Sequence, residues 1–411
     1  MKVVIAIDSL KGSLSSIDAG NAACAGIKKV CDAEVVVKPL ADGGEGTTEA
    51  LVEGSGGKYI YLDVTGPLGR RTCAKYGILS DGVTAVMEMA EASGIILLKS
   101  EELSPWKATT YGVGEMVLDA MKRGCREFII GIGGSATTEG GIGMLKALGY
   151  EFLDEQGQPI CEGIQELDRI ESVNGNHVPD ELAECHFQIA CDVKNPLCGE
   201  NGAVYVFGPQ KGVREEEKPL MDKKMLHYAR KTEEYTGVDN SQQEGAGAAG
   251  GLGFAFLSYL PNAELKPGIK IVLEAIRLED DVRDADIVIT GEGCMDRQTA
   301  MGKVPVGVAR LAKKYNKKVI AFAGSVTEDA GKCHEEGIDA IFPIVRGVTT
   351  LEEAMKKENA RRNMELSVEQ VFRLLLQNEI YSNLKENVYV MGHKANYDWL
   401  MESKAQLEGG D

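Results

Sequence analysis

A chain of 411 residues with 44% hydrophobic and 26% charged residues is long enough for two globular domains of roughly 100 to 200 residues each, and this composition excludes disordered and fibrous classes. Its formal net charge of -18 counts against sequence-independent binding to nucleic acid or to anionic membranes, which relies on basic surface. Any anionic ligand must therefore be met by local donors.

The first apolar run, Val3 to Ile7, lies between Lys2 and Asp8, too short for the apolar segment of a signal peptide. It reads as a buried strand, followed by the polar loop Asp8-Ser9-Leu10-Lys11-Gly12-Ser13 and a helix over Ser16 to Val30. A serine cap and the terminal pair Lys28 and Lys29 suit the two ends of that helix. A second strand, Glu34 to Pro39, runs into the glycine-flanked acidic loop Asp42-Gly43-Gly44-Glu45-Gly46 and a helix over Thr47 to Glu53.

From about Thr65 to Arg283 the texture changes. A helix over Tyr111 to Arg123 is closed by Gly124, a strand follows over Glu127 to Ile132, and the Gly-rich run Gly131 to Gly141 leads into the helical pattern Met144 to Leu148. The apolar run Phe187 to Cys191 ends at Asp192. Near Gly245 to Leu260 lies the longest uncharged stretch; it is Gly-rich and falls short of the roughly 20 residues that span a bilayer.

Three more buried strands are expected at Ile287 to Thr290, Val319 to Ala323 and Ala340 to Ile344, with a helix over Val304 to Tyr315. Alternating strands and helices predict an α/β fold with a parallel sheet. Two of its strands lie at the start and three near the end, so one discontinuous unit is expected from 1–64 and 284–376, with 65–283 as an inserted α/β domain. A strand order of 2-1-3-4-5 places the loops after the first and third strands at the topological switch point. The polar tail from Asn378, with Trp399, makes 377–411 a C-terminal extension.

Ten cysteines occur without a C-x-x-C pair, and the five histidines lack H-E-x-x-H spacing, so a structural zinc site is not expected. A chain of this size needs no disulfide framework, which points to reduced thiols and a cytoplasmic protein.

Three glycine features bear on phosphate. The loop Gly131 to Gly141, with Gly133, Gly134 and Ser135 at its centre, follows a strand and precedes a helix, the setting in which backbone amides cradle anions. Gly245 to Gly250 matches G-x-G-x-x-G, but polar residues precede it where a dinucleotide-binding unit needs an apolar strand. At Gly302-Lys303 there is no Walker A, because Val304 follows the lysine and Arg297 stands where its first glycine should be. The third polar loop, Gly291-Glu292-Gly293-Cys294-Met295-Asp296-Arg297-Gln298-Thr299, leads to Lys303. Together the three polar loops supply the cations and metal-binding carboxylates that phosphoryl transfer needs.

In sequence the chain resembles the bacterial-type glycerate kinase family over about residues 1–376. The matching segments are Asp8 to Leu14, Pro39 to Thr47, Val64 to Gly69, Ile130 to Leu148, Ala190 to Leu197, Phe207 to Gly212, Gly245 to Gly253 and Thr290 to Lys303. The resemblance implies two α/β domains, the first flavodoxin-like, and phosphorylation of D-glycerate by ATP with Mg²⁺ to 2-phosphoglycerate or 3-phosphoglycerate. The family pattern usually has Arg where Cys294 stands and Asn-Asp where Thr138-Glu139 stands.

On this reading Lys11 and Lys303 contact phosphate or the substrate carboxylate, Asp42 and Asp296 hold Mg²⁺, and Asp192 orients or deprotonates the glycerate hydroxyl. Gly133, Gly134, Ser135, Gly291 and Gln298 are the candidate ATP-binding residues. Which loop takes the nucleotide and which the acid stays open, as does assembly into a homo-oligomer. A hydroxy-acid dehydrogenase using NAD would need a glycine fingerprint after the first strand, where Asp8-Ser9-Leu10-Lys11 stands instead. A non-catalytic binder of glycerate or nucleotide would use the same loops, and only activity separates it from a kinase.

Overall fold

A computed structural model describes residues 1–376; the extension expected at 377–411 lies outside the described residues. In chain order its strands are β1 (Lys2–Ile7), β2 (Glu34–Val37), β3 (Lys58–Thr65), β4 (Arg71–Ile78), β5 (Thr84–Glu88), β6 (Glu127–Gly131) and β7 (Glu151–Leu153). They continue with β8 (Ser172–Asn174), β9 (His186–Ala190), β10 (Ala263–Lys266), β11 (Ile287–Met295), β12 (Lys318–Val326) and β13 (Ala340–Pro343).

The first sheet has the order β13-β12-β11-β1-β2 and draws on both chain ends. This is the 2-1-3-4-5 arrangement expected from the β-branched runs. All its pairings are parallel, with Val3 opposite Ile287 and Ile7 opposite Gly291. One face, including Val3, Ile5 and Ile7, packs on Ala19, Ala22, Ala23 and Ile27 of the helix Ser16–Lys28 and on Met364, Val368 and Phe372 of the helix over 357–376. The other face, with Val4, Ala6 and Val288, packs on Val304, Val308 and Ala312 of the helix Val304–Lys313. Helices on both faces explain why these strands read as continuous apolar runs.

The second sheet, β10-β9-β6-β5-β4-β3, is parallel from β10 to β5 and antiparallel through β4 and β3. Strand β3 begins before residue 64, yet it pairs along its whole length with β4 in this second sheet. Its alternation explains the placement: Ile60, Leu62 and Val64 pack on the second core while Tyr61 stays exposed. Conversely, Ile269, Val272 and Leu278, from the helices Gly268–Ala275 and Leu278–Arg283, join the core of the first sheet.

That same core includes Val86, Ile129 and Ala190 from β5, β6 and β9. The two sheets therefore meet through packed side chains. Strands β11 and β12 also run on to Met295 and Val326, past the expected ends at Thr290 and Ala323. Gly291 permits this extension, since a Cβ there would stand 1.9 Å from the Phe322 carbonyl oxygen.

Candidate active site

The parallel pairing of β1 with β11 carries the loops after both strands to the same edge. Asp8 N–H donates to the Gly291 carbonyl at 2.9 Å, which fixes the start of the first loop against the third. The Asp8 carboxylate accepts from Ser9 N–H at 2.6 Å and is almost wholly buried. Burial, with the nearby Asp42 and Glu292 carboxylates, pushes its pKa up to about 7, against the opposing Ser9 N–H and Lys11 charge. Burial likewise raises Glu292, with Asp296 and Asp42 adding to the rise. Thr299 Oγ1 donates to Glu292 at 2.5 Å, and Lys303 opposes the rise.

This edge is thus a crowded acidic wall of Asp8, Asp42, Glu292 and Asp296, flanked by Lys11 and Lys303. The disfavoured charge of Asp8 and Glu292 would be relieved by a divalent cation bound through oxygen, so the residues fit Mg²⁺ chemically. Among the described residues no group of three His, Cys, Asp or Glu side chains is arranged to hold a metal ion. Asp296 spends its Oδ1 on the backbone N–H groups of Gln298, at 2.7 Å, and Thr299, at 3.2 Å.

The opposite wall comes from the second sheet. After β6 the chain turns through Gly133 and Gly134, both exposed, into buried Ser135 and Thr137. One side of this turn is tied to the segment before it: Ile95 N–H donates to Gly134 O at 2.8 Å and Ala136 N–H to Ser93 O at 2.9 Å. The other side is tied to Lys211, whose Nζ donates to Ser135 Oγ at 2.7 Å and to Thr137 O at 2.6 Å. Gly134 has φ +72°, a conformation natural to glycine.

The walls touch through glycine. A Cβ on Gly43 would stand 2.6 Å from Gly268 Cα, and one on Gly131 would stand 2.6 Å from the Gly43 carbonyl oxygen. The acidic loop after β2 therefore lies against the second sheet with no room for a side chain between them. Gly44 N–H donates to Asp42 Oδ1 at 2.9 Å and holds that carboxylate at the contact. Asp192, after β9, accepts from Gly268 N–H at 3.1 Å; burial raises its pKa, with Asp42 adding to the rise.

Two cavities open along the contact. The larger, of about 650 Å³, is lined by Asp8, Lys11, Ser13, Asp42, Lys75, Glu88, Gly133 and Gly134 among others. The smaller, of about 370 Å³, is lined by Asp42, Gly133, Gly134, Ser135, Asp192 and Lys211 among others. Asp42, Gly44, Gly133 and Gly134 line both, so the two cavities adjoin along one cleft between the walls.

The fold thus brings Lys11, Asp42, Asp192, Gly133, Gly134 and Ser135 to a single cleft. Asp296 and Lys303 line neither cavity and lie near Glu292. Gly291 and Gln298 line neither cavity. Gly291 is a buried strand residue selected by backbone approach, and the exposed Gln298 meets Asp296 through its backbone N–H.

Lys211, Ser13, Asp8 and Glu292 are cleft or wall residues to which sequence reasoning gave no role of their own. Asp8 and Glu292 belong to the strand-end loops read from the sequence, but their burial depends on the β1–β11 pairing. Among the described residues the buried Ser13 Oγ has no hydrogen-bond partner, in a wall of the larger cavity, which no local pattern announces. Lys211 sits in the segment Phe207 to Gly212, and its approach to the glycine turn spans 76 residues of chain to Ser135.

The Glycerate kinase family profile matches residues 3–376. Glycerate kinase of Haemophilus influenzae is 46% identical over 376 residues, covering 91% of this chain and 99% of that protein. Glycerate 2-kinase of Escherichia coli is 46% identical over 357 residues, covering 87% and 93% respectively. A crystal structure from Salmonella typhimurium LT2, described provisionally as glycerate kinase 2, superposes with a TM-score of 0.85 at 43% identity, covering 92% of this chain and 99% of that one. The chain belongs to the glycerate kinase family.

Proposed function

We propose that this member of the glycerate kinase family transfers the γ-phosphate of ATP to a hydroxyl of D-glycerate, giving 2-phosphoglycerate and ADP with Mg²⁺ as the counter-cation. The observation that carries this reading is the pair of adjoining cavities, along which an acidic wall with flanking lysines faces a glycine turn and a carboxylate suited to accept a proton. Phosphoryl transfer is catalysed chiefly by positioning and charge neutralisation, and those are the resources the cleft offers.

In this reading Asp42 and Asp296 would hold Mg²⁺, with Asp8 and Glu292 as their acidic neighbours. The bound ion would offset the negative charge of the phosphates. Lys11 and Lys303 neutralise phosphate oxygens from the side of the first sheet. The amides of Gly133 and Gly134, with Ser135, donate to phosphate from the second.

Asp192 accepts the hydroxyl proton as the glycerate oxygen forms its bond to the γ-phosphorus and the bond to the β,γ-bridging oxygen breaks, leaving ADP. The raised pKa of Asp192 favours that acceptance. Gly291 and Gln298 have no ligand contact in this scheme.

The 2-position follows the name of the Escherichia coli relative. All ten cysteines are free, in keeping with a cytoplasmic enzyme, and among the described residues no helix is long and apolar enough to cross a membrane. The test is ADP release from purified protein given ATP, with and without D-glycerate and Mg²⁺. Release should require both. ADP forming no faster with D-glycerate than without it would refute the assignment and leave a binding protein.

A further inference from the structure

In the smaller cavity, acidic side chains and uncharged groups surround a single cation. Of its lining residues Asp42 and Asp192 carry negative charge and Lys211 alone carries positive charge. Lys211 is only 1% exposed, yet among the described residues it has no carboxylate within ion-pairing distance, and it spends two of its three N–H donors on Ser135 Oγ and Thr137 O. A lysine so deeply buried is costly unless a partner offsets its charge. Among the described residues nothing accepts from the third donor, and the residue lines the cavity.

A hydroxy acid entering this cavity needs two things: an acceptor for its hydroxyl and a cation for its carboxylate. Asp192 offers the first. We propose that Lys211 offers the second, binding the carboxylate of the acid substrate through its remaining N–H and so assigning the acid to the smaller cavity and the nucleotide to the larger. The inference rests on the glycerate kinase reading above and adds a residue and a subsite to it.

The electrostatics agree. Burial lowers the Lys211 pKa to about 7, with Glu139 opposing the fall. The groups facing it are Glu139 on the turn side and Asp42, Cys191 and Asp192 around the cavity. Glu139 is itself buried and raised to about 7 by that burial; its oxygens accept from Thr110 Oγ1 and Gly143 N–H. A carboxylate arriving at Lys211 should raise the lysine pKa, so binding above neutrality should draw in a proton.

The test titrates D-glycerate into the full-length protein by calorimetry at about pH 8, in buffers of different ionisation enthalpy. Wild type should take up a proton on binding, and Lys211→Arg, which stays charged, should not. Uptake that persists in Lys211→Arg belongs to the surrounding acids and overturns the proposal, as does binding by wild type without uptake. In steady state Lys211→Met should raise KM for D-glycerate by about 10- to 100-fold, the loss expected for a hydrogen bond to a charged group, with KM for ATP unchanged.

A rise in KM for ATP instead, or in neither, also overturns it. Should Lys211→Met fail to fold, the wild-type and Lys211→Arg calorimetry still decides. Turnover by wild type with KM unaffected in Lys211→Met refutes this inference alone. Failure of wild type to bind D-glycerate refutes the substrate assignment and the inference together, whereas binding without turnover, lost in Lys211→Met, refutes only the kinase reading.

Discussion

The two walls of the cleft solve opposite electrostatic problems. The wall of the first sheet gathers Asp8, Asp42, Glu292 and Asp296, and Asp8 is pushed to about 7 because burial and its neighbours disfavour its charge. The wall of the second sheet offers exposed glycine amides and one buried lysine lowered to about 7. One surface fits a cation and the other fits anionic oxygens. The difference teaches that a chain with a net charge of -18 can still offer anions local attraction, at one turn, at the flanking lysines and at the cation that the acidic wall would hold.

The comparison breaks most completely if the joint between the walls is damaged. Asp192→Asn, which removes the proton acceptor on the second wall, should lower turnover by roughly 10²- to 10⁴-fold with little change in glycerate affinity; near-normal turnover in initial-rate assays would remove Asp192 from that role. A backbone clash tests the first wall. Gly291→Ala puts a methyl against the Phe322 carbonyl and should cost about 1–3 kcal/mol of stability by denaturant titration.

Charge at the acidic wall can be adjusted more gently. Asp42→Asn should raise the Mg²⁺ concentration needed for half-maximal rate, since a neutral amide is a poorer ligand for a hard cation; an unchanged Mg²⁺ titration would exclude Asp42 as a ligand. For Asp8 the folded pKa of about 7 lies above the ordinary aspartate value of 3.8. Between these values the folded state binds more protons, so this group's contribution to stability is present below about 4 and lost as pH rises through about 7. Asp8→Asn should therefore flatten the fall in stability over that window when measured by thermal melts without Mg²⁺.

These experiments also bear on what the sequence can disclose. The five strands of the first sheet and their order are legible because β-branched runs such as Val3 to Ile7 and Val319 to Ala323 are buried on both faces. Strand β3 is harder to allocate, because its half-buried alternation suits either sheet until its pairing with β4 is seen. The strand-end loops were readable as acidic and glycine-rich, and Asp42, Asp192 and Gly133 do reach one cleft. Gly291 looked like a ligand glycine in that pattern, but its reason is the neighbouring strand. Lys211 had no local signature, since its burial and its hold on Ser135 arise only from tertiary contact.

The smallest effect is expected beyond the family match. The family match ends at residue 376, so deleting 377–411 should leave turnover within a few-fold of the parent; loss of turnover in a protein that still folds would place those residues in the chemistry.

The central claim is that the two walls together move a phosphoryl group onto D-glycerate. It is tested most directly by incubating the protein with D-glycerate, ATP and Mg²⁺ and identifying the product by phosphorus and proton NMR. The account predicts 2-phosphoglycerate in step with ADP. A 3-phosphoglycerate product would correct the position of transfer, while unmodified D-glycerate, with or without inorganic phosphate from ATP, would contradict the claim.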